Sequence, residues 1–79
     1  MQKLTPSYIL KVLKEVRVES KIASKQLPKI EEVIQDSNNN ILYIIVSDRP
    51  DRSALIGYGG LIIKKIKRKI NVNEVTVIA

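Results

Sequence analysis

The stretch that decides the fold is residues 53–63, which read SALIGYGGLII. Residues 57–60 of this stretch contain all three glycines of the protein. Because glycine enters positive-φ conformations and allows a close backbone approach, the pattern predicts a tight turn able to contact a ligand. Apolar residues before the turn and a lysine-rich run after it predict helices at 52–56 and 61–70. The free N–H groups at the start of the second helix favour a phosphate-bearing ligand.

Strands are predicted on both sides of this helical pair. Residues 41–46 form a continuous apolar run rich in β-branched side chains, which is typical of a central strand. Residues 30–35 and 74–78 alternate in polarity, as strands do. Between the first two strands, residues 36–40 read Asp-Ser-Asn-Asn-Asn, a composition that predicts a hairpin loop. Asn71 is expected to end the lysine-rich helix as its C-cap.

An N-terminal helix is predicted to begin at Thr5 and Pro6, since threonine caps free N–H groups and proline suits the first helical position. Its apolar positions recur at helical spacing and are Ile9, Val12, Leu13 and Val16. The pattern leaves open whether this helix continues or a second short helix follows up to about Ser24, before Pro28. Further along, Pro50 is expected to keep Arg49 out of the helical region, so that Asp51 opens the next helix as a cap or first-turn acid.

The composition lowers the expectation of chemistry. The 79 residues predict a single domain spanning 1–79, and they include no cysteine and no histidine. Disulfides, thiolate metal sites and the usual neutral-pH general base are therefore absent. Asp48 and Asp51 are the one candidate acidic pair, and capping of the next helix explains both. We expect no enzymatic activity, no metal and no cofactor. No apolar run resembles a signal peptide or reaches the roughly 20 residues that span a bilayer, so a cytoplasmic protein is expected.

Positive charge is concentrated in the half of the chain that contains the glycine turn. The formal net charge is +6, from 14 basic and 8 acidic residues. Residues 48–79 hold seven basic and three acidic residues, against seven and five in residues 1–47. This asymmetry favours an anionic polymer as partner. An ordinary solvated lysine-rich helix face is the alternative that charge alone leaves open.

Residues 56–63, which read IGYGGLII, match the I-G-x-x-G-x-x-I signature of K-homology (KH) domains. The predicted element order, αββααβ, resembles the type II arrangement of that family, and the resemblance covers essentially the whole chain. It implies an α+β fold in which a three-stranded sheet carries three helices packed on one face. A narrower likeness, over residues 46–57, is to the KH-type segment that precedes archaeal PP-loop ATPase domains, although no PP-loop motif is present.

The resemblance also implies a ligand, namely single-stranded RNA or DNA held in a groove, with the turn clamping about four nucleotides. Gly57 and Gly60 would shape the turn, and Tyr58 and Gly59 would present backbone N–H groups to phosphate. The implied electrostatic contacts come from Arg49, Arg52, Lys64, Lys65, Lys67 and Arg68. The implied apolar floor consists of Leu55, Ile56, Ile63 and the strand at 41–46. Tyr58 departs from the family, which very often has lysine or arginine at that position.

Both faces of the strand at 41–46 are apolar, which suggests a second function. One face would carry Ile41, Tyr43 and Ile45, and the other Leu42, Ile44 and Val46. If helices cover only one of them, the other is expected to meet a second copy of the chain, a neighbouring domain, or flat groups such as nucleobases. The alternative to nucleic-acid binding is therefore a protein–protein adapter or dimerisation module on the same scaffold.

Overall fold

The structure is a computed structural model that describes residues 4–23 and 26–79. Its helices and strands are α1 Pro6–Glu19, β1 Ile30–Asp36, β2 Ile41–Val46, α2 Arg49–Ile56, α3 Leu61–Ile70 and β3 Glu74–Ile78. A single 3-10 turn at Tyr58–Gly60 joins α2 to α3. The predicted α+β class, with the order αββααβ, is confirmed. In the described ranges, no helix combines the length and the apolar content that crossing a bilayer requires.

The three strands form one mixed sheet with the order β1-β2-β3. β1 pairs antiparallel with β2 through the predicted hairpin, and β2 pairs parallel with β3. A parallel pair needs a long crossover, and here α2, the glycine turn and α3 provide it. The glycine turn therefore connects two helices that both pack on the same sheet.

The hydrophobic core lies on one face of this sheet and receives side chains from all three helices. Along β2, Leu42, Ile44 and Val46 are buried, whereas the alternate residues are only half-buried. The members of the core from the helices and β3 are Ile9, Val12, Leu13, Val16, Leu55, Ile62, Ile66, Val75 and Val77, joined by Val72. Because only alternate strand positions are buried, the helices cover one face and leave the other open.

α1 begins as predicted and ends early. The Thr5 Oγ1 accepts a hydrogen bond from the N–H of Tyr8 at 3.2 Å, which is an N-cap. The helix ends at Glu19, with Ser20 as its C-cap, and Lys21 then adopts a φ of 57°. This left-handed residue turns the chain away from the helix axis, so continuation of α1 beyond Glu19 is excluded. Ile22 and Ala23 are not helical either, and Ser24, where the alternative second short helix was expected to end, lies outside the described residues.

α2 starts three residues before the predicted position. Arg49 is helical, so the expectation that Pro50 excludes it from the helix is wrong. Pro50 lies in the first turn, where its missing N–H is not needed by the helix. Asp48 is the N-cap and its Oδ1 accepts from the N–H of Asp51 at 3.3 Å, which leaves Asp51 as a first-turn acid. Asp51 Oδ1 in turn accepts from the N–H of Lys29 at 3.0 Å.

The hairpin loop is closed by the side chain of Asp36. Its Oδ1 accepts from the N–H groups of Asn38 and Asn39 at 3.1 and 3.3 Å, and its Oδ2 accepts from Asn39 Nδ2 at 2.9 Å. These hydrogen bonds, that of the Asn39 side chain above all, lower the pKa of Asp36. At the other end of β1, a register shift places Ile30 opposite Val46 and Glu32 opposite Ile45. Ile30 and Glu32 therefore lie on different faces, although simple alternation predicted the same one.

Candidate functional site

The three glycines between α2 and α3 all have positive φ. The values are 75° for Gly57, 63° for Gly59 and 76° for Gly60. The N–H of Gly57 donates to the carbonyl of Ser53 at 2.8 Å, and the N–H of Gly60 donates to the carbonyl of Gly57 at 3.2 Å. Gly60 is also the N-cap of α3, in the left-handed conformation. All three positions thus require conformations that glycine adopts at little cost.

Packing separates the roles of these glycines. A Cβ added to Gly57 would lie 2.7 Å from Cγ1 and 2.9 Å from Cβ of Ile62, a core side chain. No atom lies within 4 Å of a Cβ added to Gly59, and the nearest to one at Gly60 is Ile63 Cγ2 at 3.9 Å. Gly57 is therefore fixed by close packing of the turn on α3, whereas the surroundings of Gly59 are open solvent.

Tyr58 and Gly59 form the exposed tip of the turn. The side chain of Tyr58 is 100% exposed. The hydrogen bonds that close the turn have the N–H groups of Gly57, Gly60 and Leu61 as donors, and not those of Tyr58 or Gly59. Two adjacent backbone N–H groups that do not close the turn and one uncovered aromatic ring therefore lie together at the tip. This arrangement can accept an anion and stack a flat group beside it.

One face of α2 leads from β3 to this tip. Two open depressions of about 450 and 390 Å³ follow one another along it and share Arg52 and Ser53. The first is also lined by Arg49 and Ala79, and the second by Ile56, Gly57 and Tyr58. We call the two depressions together the groove of α2. Arg52 Nε donates to the carbonyl of Val77 at 3.3 Å, which holds its guanidinium against the edge of β3. The predicted Arg49 and Arg52 are thus brought into line with the glycine turn.

The basic residues of α3 divide into two groups. Lys64, Lys67 and Arg68 line a third depression of about 390 Å³, with Asn71 and Val72. Lys65 and Lys69 lie on the side that packs against α1. Lys65 Nζ donates to Ser20 Oγ at 2.7 Å, and Lys69 Nζ donates to Glu19 Oε1 at 2.8 Å. The structure therefore does not place the predicted site residue Lys65 with the other three.

The cations that line the three depressions form no salt bridges with other described residues. Within the described part of the chain, no carboxylate lies in salt-bridge distance of Arg49, Arg52, Lys64, Lys67 or Arg68. Lys69 by contrast is 3.8 Å from Glu15 Oε2 as well as hydrogen-bonded to Glu19, and the Glu19 contact raises its pKa. Cations without a carboxylate partner, some next to the turn and others on α3, favour binding of a polyanion.

The predicted apolar floor is corrected in two respects. Leu55 is completely buried in the core, so the expectation that it lines an accessible groove is wrong. The core face of β2 is also inaccessible, because the helices cover it. The strand that borders the groove of α2 is β3, through the hydrogen bond from Arg52 to Val77. Ile56 does line it, and Ile63 is half-buried.

Ser53 lines both depressions on α2 and was not predicted to do so. The spacing of residues 49, 52, 53 and 56 is that of one helix face, and this signal identifies Ser53 once the helix is known to start at Arg49. Asp48 and Asp51 serve as the cap and first-turn acid of α2. No group of three or more potential metal ligands is found among the described residues.

Comparisons with protein-family models, with curated proteins and with solved structures found no match to this chain.

Proposed function

We propose that this chain is a type II KH-like module that binds single-stranded nucleic acid, with RNA as the proposed ligand, in the cytoplasm and without catalysis. The observation that carries the proposal is the tip of the turn, where Tyr58 is fully exposed and the adjacent N–H groups of Tyr58 and Gly59 are not the donors that close the turn. The element order and the placement of a glycine turn between two helices that link parallel strands are consistent with the resemblance in sequence.

In the proposed complex, a phosphate of the strand accepts hydrogen bonds from the N–H groups of Tyr58 and Gly59. These donors are fixed by the backbone, and the start of α3 adds a favourable dipole. The absence of a Cβ at Gly59 leaves room for the sugar–phosphate chain to approach. The turn therefore contributes position more than charge, since no cationic side chain lies at its tip.

The charge is supplied from both sides of the turn. Arg49 and Arg52 lie along the groove of α2, and Lys64, Lys67 and Arg68 lie along α3. Each phosphate that they neutralise releases counterions, which makes binding fall with added salt. Tyr58 replaces the usual cation with a ring on which a base can stack, and such a contact contributes about 1–3 kcal/mol.

The test is fluorescence anisotropy with a short, labelled, single-stranded RNA of mixed sequence. Tyr58→Asp combined with Gly59→Asp adds two negative charges at the tip, and the open surroundings of Gly59 accommodate the side chain. We expect this variant to lose RNA binding while its circular dichroism spectrum stays that of the parent. The matched control is Ser7→Asp with Val18→Asp, which adds the same charge at exposed positions of α1. If the tip variant binds RNA as tightly as the parent, the proposed site is wrong.

A further inference from the structure

The face of the sheet opposite the helices is apolar at its centre. The strand register arranges it in three rows, which read Asp36–Ile41–Glu74, Ile34–Tyr43–Thr76 and Glu32–Ile45–Ile78 across β1, β2 and β3. Ile34 and Ile78 are 43% and 45% exposed. The three β2 residues of this face, Ile41, Tyr43 and Ile45, are half-buried. We call this surface, made of these nine residues, the outer sheet face.

The charge of the outer sheet face is opposite to that of the whole molecule. The strands contain no lysine or arginine, although the chain has 14 basic residues and a net charge of +6. The outer sheet face carries three carboxylates, from Glu32, Asp36 and Glu74, at its two ends. All the basic residues that line the candidate site lie instead on α2 and α3. The molecule therefore has a basic helical layer and an acidic, apolar sheet surface.

This charge pattern disfavours two occupants. A nucleic-acid strand would bring phosphates onto three carboxylates, which repel it. A second copy packed face to face would bring carboxylates onto carboxylates. The sheet covers roughly 240 Å², against about 800 Å² of accessible surface buried per partner in a standard interface, so any occupant of this face alone is expected to bind weakly. The outer sheet face is too acidic to pack against a second copy of itself.

We propose that the outer sheet face docks one basic amphipathic helix of a partner protein. A helix is about 10–12 Å wide and so covers most of a sheet of roughly 14 Å. Its apolar stripe would contact Ile34, Tyr43 and Ile45, and its lysines or arginines would lie beside Glu32 and Glu74. The net charge of the protein opposes binding of any cationic peptide, so attraction must come from this local surface. The inference is independent of the proposed nucleic-acid site.

The test uses a synthetic helical peptide of leucine and lysine, with a leucine–glutamate peptide of equal length as control. Titrated into ¹⁵N-labelled protein, the lysine peptide is expected to shift amide resonances of the outer sheet face and leave those of 49–68 unchanged. Glu32→Lys combined with Glu74→Lys turns two attractive contacts into repulsive ones and should weaken binding about tenfold. Glu15→Lys with Glu19→Lys raises the net charge by the same amount on α1 and should weaken binding much less.

Four results would overturn the inference. The first is equal binding of the glutamate peptide, and the second is a set of shifts confined to the helical layer. The third is a sedimentation experiment that shows a dimer which Tyr43→Ser dissociates, since the occupant would then be a second copy. The fourth is a titration with single-stranded RNA that shifts resonances of the outer sheet face, which would make that surface a nucleic-acid site.

Discussion

Replacing Gly57 by alanine tests whether the first glycine of the turn is fixed by packing. Its φ of 75° and ψ of 176° lie in a region that is essentially restricted to glycine, at a cost of roughly 1–3 kcal/mol for other residues. The added Cβ would lie 2.7 Å from Cγ1 of Ile62, which is only 6% exposed and is held by the core. Overpacking of this kind costs roughly 1–3 kcal/mol. Together these terms predict a loss of about 2–6 kcal/mol in the free energy of unfolding.

Gly59→Ala is the matched control. Gly59 has a φ of 63° and a ψ of 18°, the left-handed helical region, and no atom lies within 4 Å of the added Cβ. The expected cost is about 1–2 kcal/mol, from backbone strain alone. Urea denaturation followed by circular dichroism gives both values, and each kcal/mol corresponds to about 4–8 °C in Tm for a domain of this size. Equal stability of the two variants would refute the assignment of Gly57 to packing and Gly59 to solvent.

Two further predictions concern charge. The slope of log affinity for single-stranded RNA against log salt is negative, and Lys64→Gln with Lys67→Gln should make it less steep by about 1.4, at about 0.7 for each phosphate that is no longer neutralised. Lys65→Gln with Lys69→Gln removes the same charge on the α1 side and should leave the slope unchanged; equal effects of the two pairs would contradict a groove. The lowered pKa of Asp36 means that its contribution to stability is present above the ordinary aspartate pKa of about 3.9 and is lost as pH falls through the folded-state pKa. Asp36→Asn should therefore lose less stability than the parent on acidification below about pH 4, and identical urea midpoints against pH would disprove the role of its carboxylate.

Much of the fold could be predicted because local chemistry decides it. Thr5 and Asp48 cap helices through their own side chains, and Asp36 closes the hairpin within four residues. The apolar run at 41–46 predicts a central strand, because it is rich in β-branched residues and both of its faces are hydrophobic. Such signals act over a few residues and are visible in the sequence.

The remaining features depend on contacts distant in sequence. Lys65 and Lys67 are equivalent along the sequence of α3, and only the position of α1, with Ser20 45 residues away from Lys65, separates Lys65 from the depression that Lys67 lines. Leu55 and Ile56 are adjacent apolar residues, but Leu55 is buried in the core whereas Ile56 lines the groove of α2. The role of Gly57 likewise depends on where α3 places Ile62. Periodicity gives the centre of a buried helix face and leaves its edges undetermined.

The central claim, that the glycine turn and the cations beside it bind single-stranded nucleic acid, is tested most directly by NMR. The measurement is a titration of ¹⁵N-labelled protein with a short single-stranded RNA of mixed sequence, with every amide resonance followed. The expected result is a set of shifts concentrated at residues 49–60, with others at Lys64, Lys67 and Arg68, and an outer sheet face that does not respond. A titration that leaves Tyr58 and Gly59 unchanged would contradict the claim.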